Sequence, residues 1–379
     1  MNKIVKITCC FIATVTILMI AALWCFSPIM LQFPQTTGQY SVGTRSDYWI
    51  DRNRVDPFAQ QSGVLREFTV KWWYPSDDQS LGKQFPYMPD KIQILKERMR
   101  QQAWYIPECL RNSLLNITVQ SIPQATICSS KKLFPVIVIS HGYGAWKELY
   151  TSFAQELASH GYVVIGLDHP GLSDLIVFPD NRVSRIAPQF TKSHTRSSEE
   201  NDKFYADAFK QCIPDIRFIV DKIVDTNNDK SSDFYLKLDL ERIGIMGHSM
   251  GGIVALEACR TDERCKAVIV MDLWRSDVNS TQALAKPCLF LLGEHSFMMQ
   301  DDPWFKNQRH QIETFCTNSA PYCSQVIIKT AGHDAFYDLI LLKKPLSYFL
   351  GLTTCSGDQY ATLAIINNHI RTFFDAALG

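Results

Sequence analysis

The sequence of 379 residues lacks an excess of charge of either sign. Its 38 Lys and Arg residues balance 38 Asp and Glu residues, so the formal net charge is zero. Proteins that bind DNA or RNA usually carry a basic excess, because the phosphate backbone attracts it. The balanced charge therefore gives no support for a nucleic-acid-binding function, and we expect no nucleic-acid partner.

Local metal-binding spacings are also missing, since the sequence has no CxxC, HxxxH or HExxH motif. It has no internal repeat and no Pro-rich, Gln-rich or collagen-like tract, which argues against solenoid and fibrous proteins. Apolar residues make up 46% and charged residues 20%, a composition typical of a globular domain with a large core. We therefore expect a globular protein without a metal site.

No charged residue occurs between Lys6 and Arg45. Ile7 to Phe26 is an apolar run of 20 residues, and as a helix it would span roughly 30 Å, the thickness of a bilayer core. The run ends without small residues suited to cleavage, which favours an uncleaved anchor. Residues 1–27 are predicted to be a signal anchor or a signal peptide. Because Lys3 precedes the run, the rest of the chain should be anchored on the exoplasmic or periplasmic side, or secreted if the segment is cleaved.

The cysteines agree with an exported protein. Nine of the 12 cysteines lie beyond the apolar run, and in an oxidising compartment some of them should pair. An odd number leaves at least one unpaired, and the alternative is that several are buried free thiols. The best local candidates are Cys259 with Cys265 and Cys316 with Cys323, followed by Cys109 with Cys128.

Hydrophobic patterning predicts one α/β domain over residues 64–379, preceded by an extended linker over residues 28–63. From residue 135 onward strands alternate with helices, which predicts a mostly parallel central sheet with helices on both faces. Residues 180–202 are polar and are predicted to be a long loop. The predicted strands are 65–74, 135–140, 162–168, 242–247, 267–271, 287–292 and 325–328, and the predicted helices are 90–104, 147–160, 203–224, 250–258, 335–350 and 358–377.

The segment Gly247-His248-Ser249-Met250-Gly251 matches the G-x-S-x-G pattern. A predicted strand precedes it and a predicted helix follows, which is the context of a nucleophile elbow. In such a turn the glycines remove side chains that would collide where strand and helix approach closely. Ser249 is therefore the predicted nucleophile, and the alternative is a Gly-rich turn with a structural serine.

A nucleophilic serine needs a base, and in this type of fold the order along the chain is Ser, then Asp or Glu, then His. Four histidines follow Ser249. His333 comes after the predicted strand QVIIK, at the carboxyl end where such folds place their sites. His310 lies in a polar stretch, His369 lies within a helix, and His295 is the one rival. His333 is therefore the predicted base.

Two carboxylates stand at suitable strand ends, and both positions are used for the acid in this fold. Asp272 follows AVIVM, and Glu294 follows PCLFLLG. The oxyanion hole should take one backbone N–H from Met250 and another from the loop after PVIVIS, with Tyr143 as the expected donor. His141 precedes the serine in the chain and is expected to orient that loop.

These segments together resemble the plasma-type (group VII) platelet-activating factor acetylhydrolase family, within the α/β-hydrolase superfamily. The resemblance implies Ser249 as nucleophile, Asp272 as acid and His333 as base, with Tyr143 and Met250 as oxyanion donors. It also implies an α/β-hydrolase fold, phospholipid substrates with a short or oxidised sn-2 acyl chain, and catalysis without a cofactor. It rests on WYPSD, PYMP at 86–89, PVIVISHGYGAWKELY at 135–150, LASHGYVVIGLDH at 157–169, RIGIMGHSMGG at 242–252, VMDLW at 270–274 and AGHDAF at 331–336.

Other functions remain open at this point. The elbow and LASHGYVV also resemble cutinase-like and dienelactone-hydrolase-like esterases, which place their acid one strand later, near Glu294. Ser296 stands where those enzymes often have Asp, which favours the acetylhydrolase interpretation. A general carboxylesterase, an anchored peptidase of the same fold and a non-catalytic binding relative are the alternatives. Two segments could contact a membrane, the basic helix at 91–100 and the apolar stretch at 340–352, or they could be a solvated face and a core helix.

Overall fold

A computed structural model describes most of the chain after residue 30. The described residues are 12, 14–19, 31–59, 61–78, 83–102, 117–130, 133–191, 198–273, 281–294, 303–349 and 351–379. Most of the predicted signal segment, together with His295 and Ser296, lies outside this set. Within the described part, no helix is both long enough and apolar enough to cross a membrane.

A nine-stranded sheet forms the centre of the domain, in the order β13-β12-β11-β10-β6-β7-β2-β1-β5. The strands from β13 to β7 are parallel to their neighbours, whereas β2 is antiparallel to both β7 and β1. The strands are β1 Ser41–Val55, β2 Leu65–Ser76, β3 Phe85–Pro86, β4 Thr118–Val119, β5 Ile122–Pro123, β6 Phe134–Ser140, β7 Val163–Leu167, β8 Ile176–Val177, β9 Val183–Ser184, β10 Leu238–His248, β11 Cys265–Met271, β12 Cys288–Gly293 and β13 Cys323–Ile328.

Helices cover both faces of the sheet, and side chains of β6 show the division. Val136 and Val138 pack into one core with the helices 198–228, 250–261 and 303–318, whereas Ile137 and Ile139 pack into the other with the helices 151–159 and 359–378. This alternation follows from the two-residue period of a strand. The helices are α1 Ile92–Gln102, α2 Thr151–Ser159, α3 Ser198–Asn228, α4 Met250–Thr261, α5 Pro303–Asn318, α6 Lys344–Phe349 and α7 Gln359–Leu378. The predicted mostly parallel α/β architecture is confirmed.

The register of the sheet brings the predicted functional segments to one edge. Ser140 at the end of β6 pairs with Gly247 of β10, and His248 pairs with Met271 at the end of β11. Met271 in turn pairs with Leu291 near the end of β12. Because the carboxyl ends of these parallel strands are level, the residues that follow them are neighbours in space.

The predicted linker over residues 28–63 is wrong, because it contains the 15-residue strand β1 of the central sheet. This strand pairs with β2 from Ser41 opposite Ser76 to Val55 opposite Leu65. Its outer neighbour β5 covers only two of its residues, Gly43 and Thr44. A strand near the edge of a sheet is partly exposed, so it can contain polar residues. Because of these polar residues the strand was not predicted from the sequence. The part of the predicted loop at 180–202 that the structure describes likewise contains β9 and the first turn of α3.

Two predicted disulfides are confirmed. Cys259 in α4 is bonded to Cys265, the first residue of β11, and Cys316 in α5 is bonded to Cys323, the first residue of β13. The third candidate pair is wrong, because Cys128 is a free, buried thiol. Its predicted partner, Cys109, lies outside the described residues. The helix α5 itself was not predicted, because its described part is largely polar and only partly buried.

Candidate active site

Ser249 stands on the tight turn between β10 and α4, in a backbone conformation that non-glycine residues rarely adopt. Its φ is 55° and its ψ is −122°. Such a conformation costs on the order of 1–3 kcal/mol and persists only where the surroundings hold it. Here the N–H of Ser249 donates to the Met271 carbonyl at 2.9 Å, and its carbonyl accepts from the N–H of Gly252 at 2.9 Å. The serine is half-buried, so part of its surface is accessible to solvent.

The two glycines of the elbow stand where no side chain fits. A β-carbon built on Gly247 would lie 2.0 Å from the Gly251 carbonyl oxygen. A β-carbon on Gly251 would lie 2.3 Å from the Ser140 carbonyl oxygen. Both distances are far inside van der Waals contact. The turn therefore requires glycine at both positions to bring β10, α4 and the end of β6 together.

Asp272 and His333 are hydrogen-bonded beside this turn. Asp272 directly follows β11, and His333 lies in the loop after β13. The distance from His333 Nδ1 to Asp272 Oδ2 is 2.7 Å, and the N–H of Gly293 donates to Asp272 Oδ1 at 2.7 Å. The carboxylate is fully buried, whereas the His333 side chain is 17% exposed. Because a carboxylate only accepts, Nδ1 carries the proton in the neutral imidazole and Nε2 carries the lone pair.

Asp272 also has a strained backbone, with a φ of 38°. It and Ser249 are two of the five described non-glycine residues with positive φ. Such outliers cluster at functional sites, where the surrounding structure enforces a specific side-chain direction. The strain at Asp272 directs its carboxylate across the ends of β11 and β12 towards His333.

The rival residues are placed differently. Glu294 follows β12 and lines a separate cavity of about 370 Å³ with Gly332 and Cys355, and the carboxylate bonded to His333 is that of Asp272. His310 is exposed on α5, and His369 is half-buried in α7.

An aromatic layer packs against His333. The ring of His248 lies 4.6 Å from the ring of His333 between centroids, and the ring of Tyr337 lies 5.2 Å from that of His248. His248 is buried, and burial, together with the repulsion that a protonated His333 would exert, lowers its pKa well below the usual value. His248 is therefore neutral and acts as a packing partner for His333.

The loop after β6 has a fixed backbone. His141 Nδ1 lies 2.7 Å from the Gly142 carbonyl oxygen, which also accepts from the N–H of Ala145 at 3.1 Å. His141 Nε2 accepts from the N–H of His169 at 2.9 Å, and the Ser173 hydroxyl lies 2.7 Å from it. Burial lowers the pKa of His141 to about 3, so the ring stays neutral and donates through Nδ1. The predicted role of His141 in orienting this loop agrees with these contacts.

The predicted oxyanion donors, Tyr143 and Met250, belong to two segments next to the serine. A β-carbon built on Gly142 would lie 3.4 Å from Ser249 Cβ, so the loop that continues to Tyr143 is adjacent to the nucleophile. Met250 is the first residue of α4 and is buried. The first N–H groups of a helix have no partner within the helix and favour negative charge.

A buried ion-pair network packs next to the loop after β6. Asp215 of α3 receives two hydrogen bonds from the Arg66 guanidinium, at 2.6 and 2.7 Å. Its Oδ2 also lies 2.9 Å from His169 Nδ1, and His169 Nε2 lies 2.9 Å from the Ser140 hydroxyl. With Cys212, His169 and Asp215 are close enough together to bind a metal. The guanidinium already occupies the carboxylate and would repel a cation, so these residues fit an ion pair better than a metal.

Sequence reasoning missed Tyr150, His248 and Asp338 as parts of this site. Tyr150 and His248 lie inside the motifs at 135–150 and 242–252, and that position was the signal available for them. Asp338 is buried and accepts from the backbone N–H groups of Thr151 and Ser152 at 3.0 and 2.9 Å. It thereby joins the loop after His333 to the start of α2.

The geometry can be compared with known proteins. A sequence profile described as platelet-activating factor acetylhydrolase, isoform II, matches residues 27–379. Platelet-activating factor acetylhydrolase of Bos taurus is 24% identical over 284 residues, which cover 69% of this chain and 60% of that protein. The protein of the same name from Cavia porcellus is 23% identical over 371 residues, which cover 91% of this chain and 78% of that protein.

Among solved structures, a ferulic acid esterase from Streptomyces cinnamoneus superposes with a TM-score of 0.68 at 21% sequence identity. The match covers 92% of this chain and 93% of that one, and it shows a shared fold. The profile match extends over nearly the whole chain. The chain belongs to the family described as platelet-activating factor acetylhydrolase, isoform II.

Proposed function

We propose that this protein is a serine ester hydrolase that works through Ser249, His333 and Asp272. The observation that carries the proposal is the hydrogen bond between His333 and Asp272 at the sheet edge where the Ser249 turn lies. His333 Nε2 accepts the Ser249 hydroxyl proton while the serine oxygen attacks the ester carbonyl. The alcohol leaves with that proton. Water, deprotonated by His333, then hydrolyses the acyl-enzyme and restores the serine.

The proposed roles of the remaining residues follow from charge. Asp272 keeps the Nδ1–H tautomer of His333 and stabilises the imidazolium that forms during attack. The N–H groups of Tyr143 and Met250 stabilise the oxyanion of the tetrahedral intermediate. The described residues of this site supply a nucleophile, a base and oxyanion donors, which is the full set that ester hydrolysis needs, and no step in this sequence uses a metal or cofactor.

The proposed substrates are phospholipids with a short or oxidised sn-2 acyl chain. Family membership supports this, as do the names of the relatives from Bos taurus and Cavia porcellus. A relative from Arthroderma benhamiae, 29% identical over 148 residues, is named a probable 1-alkyl-2-acetylglycerophosphocholine esterase. The chain matches only about three-fifths of the length of the Bos taurus protein, so the substrate is tested directly below.

We further propose that the protein is exported and folds in an oxidising compartment. The two disulfides support this, since such bonds persist outside the cytosol. The uncharged run from Ile7 to Phe26 after two lysines supports its use as a signal or anchor. Extraction of membranes at high pH, with the protein detected by a carboxyl-terminal tag, distinguishes an anchor from a cleaved signal. An anchored protein stays with the membranes, and a secreted protein does not.

The test of function compares phosphatidylcholines with acetyl, hexanoyl or palmitoyl groups at sn-2. The full chain should cleave the acetyl lipid fastest, and Ser249→Ala should lower kcat by roughly 10³-fold or more. Ser324→Ala, at an exposed position of β13, is the matched control and should keep full activity. Equal or greater activity on the palmitoyl lipid would indicate a general phospholipase. Cleavage of simple esters alone would overturn the phospholipid proposal and favour a general carboxylesterase.

A further inference from the structure

Tyr150 is a buried tyrosine whose hydroxyl lies between two parts of the candidate site. It ends the short 3₁₀ turn Lys147–Tyr150 and has no exposed surface. The N–H of Gly142 donates to its hydroxyl oxygen at 3.0 Å, and His248 Nδ1 lies 3.1 Å from the same oxygen. One oxygen atom thus contacts both the loop after β6 and the residue that precedes Ser249.

The direction of these two hydrogen bonds follows from the chemistry of the groups. A backbone N–H can only donate, so the Tyr150 oxygen accepts from Gly142. Burial raises the pKa of Tyr150, so the hydroxyl keeps its proton. That proton is directed to His248 Nδ1, which accepts in the Nε2–H tautomer of the neutral ring. Each of the three groups therefore has a defined role, as donor, relay or acceptor.

This hydroxyl completes the restraint on Gly142, which has the most flexible type of backbone. The carbonyl of Gly142 is held by His141 and Ala145, and its N–H is held by Tyr150. In a trans peptide the C=O and the next N–H point in opposite directions. The contacts of the Gly142 carbonyl therefore set the direction of the Tyr143 N–H, and the contact from Tyr150 fixes the preceding peptide unit. Together they prevent the loop from rotating about Gly142.

The second contact of the hydroxyl extends the restraint to the proposed base. His248 accepts a hydrogen bond from the Tyr150 hydroxyl at Nδ1, and its ring packs against that of His333 with the two planes tilted by 39°. The N-terminus of α2, which follows Tyr150 directly, is held by Asp338 from the loop after His333. Tyr150 therefore contacts the loop after β6, here called the oxyanion loop, and the elbow residue His248 directly. It is linked to the proposed base His333 through His248 and through Asp338.

We propose that Tyr150 is a positioning residue for ester hydrolysis, whose hydroxyl orients the oxyanion loop and the His248 ring at the same time. This inference rests on the proposed function, because it assigns Tyr150 a role in that same reaction. Tyr150 does not touch substrate. It acts through the N–H of Tyr143 and through the ring that packs against His333.

The variant Tyr150→Phe keeps the ring and removes only the oxygen atom. Loss of a whole oxyanion donor costs about 10²–10³-fold in kcat, so loss of its orientation should cost about 10–10²-fold. KM should stay within about threefold, because the hydroxyl acts on the transition state. The affinity for a trifluoromethyl ketone, which forms an oxyanion on the serine, should fall by the same factor as kcat/KM. A merely structural defect would not produce this matched loss.

Tyr74→Phe is the matched control. Tyr74 is also buried, and its hydroxyl donates one hydrogen bond, to the Ala125 carbonyl at 2.7 Å. It lies near the opposite edge of the sheet, where its neighbour Trp73 pairs with Val164 at the start of β7. Both variants should lower Tm by similar amounts, but Tyr74→Phe should leave kcat and the ketone affinity unchanged.

A second pair of variants keeps the inference testable if Tyr150→Phe does not fold. In His248→Asn the amide oxygen can replace Nδ1 as acceptor, whereas His248→Leu has a similar shape and no acceptor. We expect a higher kcat in His248→Asn than in His248→Leu. Equal kcat in the two variants, or a Tyr150→Phe enzyme with unchanged kcat and ketone affinity, would overturn it. An inactive wild-type chain would instead overturn the proposed function itself, and this inference with it.

Discussion

Replacement of Asp272 by Asn tests whether Asp272 is the acid, because it changes which nitrogen of His333 carries the proton. Among the described residues, the carboxylate accepts hydrogen bonds from the Gly293 N–H and from His333 Nδ1, each at 2.7 Å. The backbone N–H of Gly293 is a fixed donor, so the asparagine oxygen must face it. The amide NH₂ then faces His333 and can only donate. The imidazole must move its proton to Nε2, the atom that should accept from the serine.

The size of the effect follows from this reversal. The same replacement in the well-studied serine protease triad leaves the geometry intact and lowers kcat about 10⁴-fold. A factor of 10⁴ corresponds to about 5.5 kcal/mol of lost transition-state stabilisation. We expect a loss of this order in Asp272→Asn, measured as kcat on the acetyl phospholipid near pH 7.5. The overall fold should be kept, because both side chains have the same shape.

Glu294→Gln is the control for this experiment, since Glu294 was the rival acid. It lines a separate cavity beside Gly332, and the hydrogen bond to His333 comes from Asp272. We expect kcat within a few-fold of wild type. Loss of activity in Glu294→Gln with more than a tenth of the activity kept in Asp272→Asn would refute the reasoning and move the acid to the end of β12.

Two further predictions concern stability. Gly247→Ala places a β-carbon 2.0 Å from the Gly251 carbonyl oxygen, so the turn must shift, and we expect both a lower Tm by thermal denaturation and loss of measurable esterase activity. An unchanged Tm would show that the turn relaxes freely. Asp215→Asn removes one of the two carboxylates that pair with the buried Arg66 and leaves Asp56, at 2.9 Å, as the other. We therefore expect a loss of about 3 kcal/mol in the free energy of unfolding by urea titration, the lower end of the range for a broken buried ion pair. Arg66 lowers the pKa of Asp215, so the unfolded state binds more protons in acid, and the stability that Asp215 contributes is lost as the pH falls below about 4. The variant should therefore show a smaller acid loss of stability than wild type, and equal losses would contradict this account.

The parts of the fold that are buried on both faces could be predicted from the sequence. Each of the strands β6, β7 and β11 contains an apolar run of at least five residues, because each has a helical layer on either side. β1 escaped prediction because its exposure depends on the distant segment β5, which covers only part of it. Propensity carries no information about such a partner.

The candidate site divides in the same way. Ser249 and His333 follow from local pattern and chain order, which are properties of the sequence alone. Position alone could not choose between Asp272 and Glu294, because both follow neighbouring parallel strands. Tyr150 could not be found by such reasoning, since its role depends on the distance from its hydroxyl to two atoms brought close by the sheet register.

The two disulfides have a mechanical consequence for the acid and the base. Cys265 and Cys323 are the first residues of β11 and β13, and these are the strands that lead to Asp272 and His333 at the other end of the sheet. A strand shifts most easily relative to its neighbours when its first residues are free to move. Here the first residue of each strand is covalently attached to the preceding helix. Asp272 and His333 therefore cannot be separated by fraying of their strands from that end. The disulfides therefore restrain the alignment of the proposed acid and base from about one strand length away.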